Sequence, residues 1–159
     1  MRGEEFVTRK ISLHFAKLLL HLTEKPVELG SLDSKRDWGF AGDYVEMMWK
    51  MLQYSEPDNY VISTGMTHSI RDFIYETGNH CNFDIEWRGK NEDEIGIDKK
   101  TGKVVVKVKK KFYRPAEVDF LLGNSEKAKN KLNWSAKTSF KDLCKMMIEK
   151  DIERLKISI

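Results

Sequence analysis

The stretch Ala41–Tyr54, AGDYVEMMWKMLQY, constrains the fold of this chain more than any other. It has the length and composition of a helix. Tyr44, Val45, Met48, Trp49, Met51 and Leu52 spread apolar groups around much of its circumference. A surface helix keeps one apolar stripe toward the core and a polar face toward water. A helix this apolar must be covered on more than one side.

The remaining elements follow from periodicity and punctuation. Glu4–Leu22 reads as a helix whose Val7, Ile11, Phe15, Leu18, Leu19 and Leu22 share one face, with Arg9, Lys10, His14 and Lys17 largely off it. Pro26 ends it, Val27–Leu29 is a short extended piece, and Gly30–Lys35 has the composition of a turn. Tyr60–Ser63 reads as a strand closed by Thr64-Gly65. Ser69 and Asp72 have the spacing of a capping box, opening a helix with Ile70, Phe73, Ile74 and Thr77 inward. Phe83–Trp87 reads as a strand and Gly89–Gly102 as a polar loop. Lys103–Phe112 alternates valine and lysine, which predicts an edge strand with a wet lysine face. Ser125–Leu132 is a short helix. A last helix, starting at Thr138 or Ser139, presents Phe140, Leu143, Met147, Ile148 and Ile152 to the core. Helices alternating with four short strands predict an α/β chain, yet no strand leads into GxGxxG or a P-loop.

A length of 159 residues fits one ordinary domain, and 40% hydrophobic with 33% charged residues is normal for a globular protein. A net charge of +3 does not by itself call for nucleic acid. Cys81 and Cys144 lie far apart without CxxC spacing, as expected of structural thiols in a reducing, cytoplasmic compartment. The longest apolar run, Leu18–Leu20, is too short to span a membrane, and Met1–Lys10 lacks the pattern of a signal peptide. His14, His21, His68 and His80 show no ligand spacing, so no metal site is expected. Met47, Met48 and Met51 read as core filler, and Trp38 as a packing residue.

Chemistry is concentrated in two stretches. LGSLDSKRDWGFAGDY, Leu29–Tyr44, and FYRPAEVD, Phe112–Asp119, each hold one arginine in a turn-like setting beside acidic residues. A guanidinium is planar, permanently charged and matched to paired phosphate oxygens, so Arg36 and Arg114 together would suit a pyrophosphate. Glu117, three residues beyond Arg114, could accept hydrogen bonds from neighbouring hydroxyls. The residues alone imply an anion, no more.

GSLDSKRDWGFAGDYVEMMW, FVTRKI, YVISTGMTHSIRDF and FYRPAEVDFLLGNSEKAKNKLNW together resemble the carboxy-terminal part of the GDP-mannose 4,6-dehydratases, extended short-chain dehydrogenases/reductases. The likeness runs from about Arg2 to about Ile152. It implies the substrate-binding part of an extended Rossmann-type dehydratase, without the amino-terminal dinucleotide-binding region. Residues 41–63 would then belong structurally to that absent cofactor domain, while the rest builds the sugar-nucleotide part.

The resemblance also implies a reaction and a set of roles. The family converts GDP-mannose to GDP-4-keto-6-deoxymannose with bound NADP, using a Thr or Ser, a Glu and a Tyr-x-x-x-Lys pair. No such pair precedes the FVTRKI helix, so the catalytic set is expected upstream of residue 1 and the chain alone is expected to be inactive. Carried over by motif, Arg2 contacts NADP, Val7 and Lys10 line the nucleotide site, and Val27 and Gly30 run beside the guanine. Arg36 and Arg114 grip the diphosphate, and Glu117 binds ribose hydroxyls. The implied partners are GDP-mannose and either a separate amino-terminal half or a homo-oligomer of the full-length enzyme, with neither nucleic acid nor membrane. Glu5, Phe40 and Gly42 depart from the family's Asn, His and Lys, which puts substrate tuning in question. The alternatives are a non-catalytic module binding a nucleotide diphosphate or an acidic partner, and, ranked last, a nucleic-acid binder using Lys103–Arg114.

Overall fold

A computed structural model describes residues 3–113 and 120–158. In chain order the elements are α1 (Val7–Leu19), β1 (Val27–Leu29), β2 (Lys35–Arg36), α2 (Ala41–Gln53), β3 (His68–Ser69), α3 (Ile70–His80), β4 (Ile85–Arg88), β5 (Ile95–Asp98), β6 (Val104–Val108), β7 (Phe120–Leu121), α4 (Glu126–Leu132) and α5 (Phe140–Ile157). They divide between two compact units. The first comprises Met1–Ser34, Ser69–Val118 and Cys144–Ile159, the second Lys35–His68 and Asp119–Leu143.

The first unit is a four-stranded sheet in the order β1–β6–β5–β4 with helices α1 and α3. β1 runs parallel to β6, with Val27 opposite Val106, and the other pairs are antiparallel. Its core takes Ile11, Phe15 and Ala16 from α1, Phe73 and Ile74 from α3, Val105, Val106 and Val108 from β6, and Ile148 from α5. The Ser69–Asp72 capping box forms in both directions, Asp72 N donating to Ser69 Oγ at 3.0 Å and Ser69 N to the Asp72 carboxylate at 2.8 Å. Cys81 and Cys144 are reduced and buried here, and burial pushes each thiol up to about 12.

Four expectations change in this unit. Helix α1 starts at Val7 and ends at Leu19, because His21 turns left-handed (φ 56°) and the Leu22 amide folds back onto the Lys17 carbonyl. Arg9 is not off the apolar face but buried, paired with a fully buried Asp151 from α5 that also accepts from Ser12 Oγ at 2.7 Å. That remote carboxylate makes a buried guanidinium tolerable. The loop expected over Gly89–Gly102 contains β5, and β6 lies between β1 and β5 rather than at an edge. Val105 and Val106 are therefore buried on opposite faces, a two-sided burial that strict alternation does not anticipate.

In the second unit Met47 of α2 meets Ala128 and Leu132 of α4 and Trp134, with Tyr44, Met51, Tyr60, Ile62 and Ala136 packed around them. Trp134 Nε1 donates to the Asp43 carbonyl at 3.1 Å, while the Asp43 carboxylate accepts from the amides of Lys137 and Thr138 at 3.0 and 2.8 Å. β2 pairs parallel to β7, Arg36 opposite Leu121. Trp38 packs as expected, stacked on Phe140 at 6.1 Å. Tyr60–Ser63 forms no strand, since no ladder partner meets it among the described residues, and its Tyr60 and Ile62 serve the Met47 cluster instead. α2 is covered on one side only: Val45 is 61%, Met48 53%, Trp49 61% and Leu52 82% exposed. Among the described residues no helix is long and apolar enough to cross a membrane.

Candidate functional site

The first unit gathers most of the described candidate residues at one place. Val7 and Lys10 are three residues apart, one turn along α1 and therefore on one face. The Lys10 ammonium donates to the Glu28 carbonyl of β1 at 2.5 Å and sits 3.9 Å over the Phe112 ring. Burial lowers the Lys10 pKa, Glu28 works against that, and Lys111 adds to it. Lys111 bonds the Glu28 carboxylate at 2.8 Å and also approaches the Phe112 ring, at 4.8 Å. An ammonium has three donors, so Lys10 keeps hydrogen-bonding capacity beyond its contact with Glu28.

Gly30 follows directly. A Cβ there would fall 2.3 Å from the Phe112 carbonyl oxygen, so only glycine lets these two backbones approach. The Leu29 carbonyl accepts from the Lys109 amide at 2.8 Å, continuing the β1–β6 ladder to the same point. Val27 is 1% exposed, which turns its side chain into core and leaves only main chain for a ligand.

Arg71 fixes the turn beyond Gly30. Its amide donates to the Leu32 carbonyl at 2.9 Å. Its guanidinium bonds Glu94 at 2.8 and 3.1 Å and Asp33 at 3.0 and 3.1 Å, and stacks 4.7 Å from the Trp87 ring centre. Glu94 first, then Asp33, raise its pKa against a lowering by burial.

Arg36 belongs to the second unit, at the end of β2, half-buried, with Nη1 donating to the Lys35 carbonyl at 2.8 Å. Its neighbour Asp37 accepts from Thr64 N, Thr64 Oγ1 and Gly65 N at 3.0, 2.6 and 3.0 Å, and from Gly123 N at 3.4 Å. Arg2, Arg114 and Glu117 lie outside the described residues. Lys10, Val27 and Gly30 are thus brought together with Val7 one turn away, while Arg36 stands in its own unit. Sequence reasoning missed Phe112 as the centre of the first group, although it opens FYRPAEVD, and missed Asp37 and Asp43 as loop anchors.

The sequence model described as GDP-mannose 4,6 dehydratase matches residues 1–147. The chain belongs to that family. It is 52% identical to the GDP-mannose 4,6 dehydratase of Homo sapiens over 98% of its own length and 41% of the human protein's. The Dictyostelium discoideum protein of the same name is 51% identical, with 98% and 43% covered. The Sinorhizobium fredii protein is 44% identical, with 98% and 44% covered. The chain thus spans about two fifths of the length of these relatives. Among solved structures, RMD from Pseudomonas aeruginosa complexed with NADPH superposes with a TM-score of 0.76 at 16% identity, over 96% of this chain and 44% of that one. The dTDP-glucose 4,6-dehydratase of Bacillus anthracis in complex with NAD gives 0.65 at 15%, over 93% and 39%. The fold is therefore part of that of the extended Rossmann-type dehydratases and epimerases.

Proposed function

We propose that this chain carries the GDP-sugar-recognition part of a GDP-mannose 4,6-dehydratase, which converts GDP-mannose to GDP-4-keto-6-deoxymannose with bound NADP. The observation that carries the reading is the cradle of Lys10, Glu28, Gly30 and Phe112, where a cation, an aromatic ring and closely approaching main chain meet. Main chain at Val27–Gly30 is suited to the edge of a planar base, and Lys10 to the anionic part of the same ligand. Arg36, Arg114 and Glu117 keep, in this reading, the diphosphate and ribose roles that the family likeness gives them. Residues 41–63 belong structurally to the cofactor domain of the whole enzyme.

When bound, NADP supplies a reversible hydride acceptor. The described residues do not fit it: no glycine among them follows the GxGxxG pattern of a dinucleotide cradle. The cofactor falls to the amino-terminal region of the longer relatives, with Arg2 as the contribution of this chain. Two buried, reduced cysteines support a cytoplasmic setting. The isolated chain binds and orients, and does not turn over.

The test is calorimetry and product analysis on the 159-residue chain. It should bind GDP and GDP-mannose and form no 4-keto-6-deoxy product with NADP present. Lys10→Ala and Arg36→Ala should each weaken binding by about 1.5–3 kcal/mol, the range of charge-assisted hydrogen bonds. Lys150→Ala, at a surface lysine paired with Glu153, should change it little. Product formed by the pure chain, or equal losses at all three positions, would overturn the reading.

A further inference from the structure

We propose that Asp37 is the positioning residue for Arg36, holding the Arg36 main chain in register so that its guanidinium can meet a diphosphate; this rests on the GDP-binding reading above. The contacts concerned lie wholly within the second unit. β2 is only two residues long, Lys35–Arg36, and its ladder to Phe120–Leu121 is equally short. So short a strand cannot set the direction of a long side chain by itself. The next residue supplies what the ladder lacks.

The Asp37 carboxylate collects donors from two separate segments. Thr64 gives both its amide and its hydroxyl, at 3.0 and 2.6 Å, and Gly65 its amide at 3.0 Å, while Gly123 adds a longer amide contact at 3.4 Å. Hydrogen bonds to an ionised acceptor are the stronger class, and three of the four come from main chain, which has few other ways to move. The two segments also press together. A Cβ on Gly123 would lie 2.3 Å from Ser63 Cβ and 2.6 Å from Ser63 Oγ, so the Asp37 anchor requires glycine at 123. Ser63 is itself only 5% exposed. Arg36 is therefore fixed from both sides: by β7 through its own strand, and by the Thr64–Gly65 and Gly123 amides through the residue that follows it.

An aspartate with only a stabilising role would affect all ligands alike. A positioning residue acts through Arg36 and therefore on the diphosphate. The experiment measures GDP and GMP affinity by calorimetry for the full chain and for Asp37→Asn, Arg36→Ala and the double variant, with melting temperatures alongside. Asp37→Asn should weaken GDP about tenfold and GMP by less than about twofold, and should add less than about twofold to the loss in Arg36→Ala. Thr64→Val removes one donor to Asp37, together with the acceptor of the Met66 amide. It should give a smaller loss of the same GDP-over-GMP pattern, and it keeps the test readable if Asp37→Asn fails to fold. Losses that are equal for GDP and GMP, or additive with Arg36→Ala, would overturn the role of Asp37 alone. If Arg36→Ala leaves the GDP-to-GMP ratio unchanged, or the unmodified chain binds neither nucleotide, the underlying reading falls and this one with it.

Discussion

The two units handle apolar surface in opposite ways. In the first, helices and sheet close on one another: Ile11, Phe15, Phe73, Ile74 and Val106 are fully buried, and even Arg9 and Asp151 are taken inside as a pair. In the second, a core of Met47, Ala128, Leu132 and Trp134 occupies one side of α2, while Val45, Met48, Trp49 and Leu52 face outward together. Phe120, Leu121 and Leu122 are also half exposed. A self-sufficient unit spends its apolar residues on its own interior. One that leaves a contiguous apolar face carries residues whose packing is not satisfied within it.

The largest effect is expected where the first unit is most closed. Asp151→Ala leaves the buried Arg9 charge without its partner and should cost about 3–5 kcal/mol in denaturant unfolding. A loss below about 1 kcal/mol would mean that the pair is open to water and the contrast overdrawn.

A second effect, absent at neutral pH, should appear at alkaline pH, again in the first unit. Both buried thiols have folded pKa values raised from the ordinary 9.0 to about 12. A raised folded value contributes stability that is fully present below the unfolded pKa and lost as pH rises through the folded one. Between about pH 9 and pH 12 the unfolded chain has released protons that the folded chain retains, so stability falls with pH. Replacing Cys81 and Cys144 by Ala should flatten that fall. An unchanged alkaline slope would show that the thiols are not shielded.

The smallest effect on folding should come from the outward face of the second unit. Leu52→Ala should change melting by less than about 0.5 kcal/mol, as for surface positions generally. The same face should make the chain self-associate at micromolar concentration, and Trp49→Glu with Leu52→Glu should suppress this in light scattering. A monodisperse parent chain would show that the face is covered in solution.

What was legible in the sequence was local. The periodicity of α1, the capping box at Ser69 and the short helix α4 need only neighbours along the chain. What depended on distant partners was not. Arg9 could be seen as buried only by knowing that Asp151 waits on α5, and β6 could be seen as interior only by knowing that β1 pairs with it. β5 was hidden because Ile95-Gly96-Ile97-Asp98 is short, holds a glycine and sits among acidic residues, so pairing rather than composition makes it a strand. Tyr60–Ser63 failed for the converse reason, having strand composition without a partner. For the candidate site, the motif residues were readable as charges. Phe112, Glu28 and Asp37 were not, because each contact uses main chain on one side, the Phe112 and Glu28 carbonyls or the Gly65 amide, and main-chain geometry leaves little trace in residue type.

Neither unit is continuous along the chain. Between β1 and β6, partners in the first sheet, the sequence leaves for Lys35–His68 of the second unit before returning through α3. Closing a loop costs entropy only as the logarithm of its length, about 0.6 kcal/mol for each doubling. The excursion therefore adds little to what β1 must overcome to reach β6. By that measure the length of the excursion between β1 and α3 is nearly free to vary, whereas within β4, β5 and β6 the antiparallel ladders fix the spacing residue by residue. Insertions and deletions should be tolerated on the one path and refused on the other.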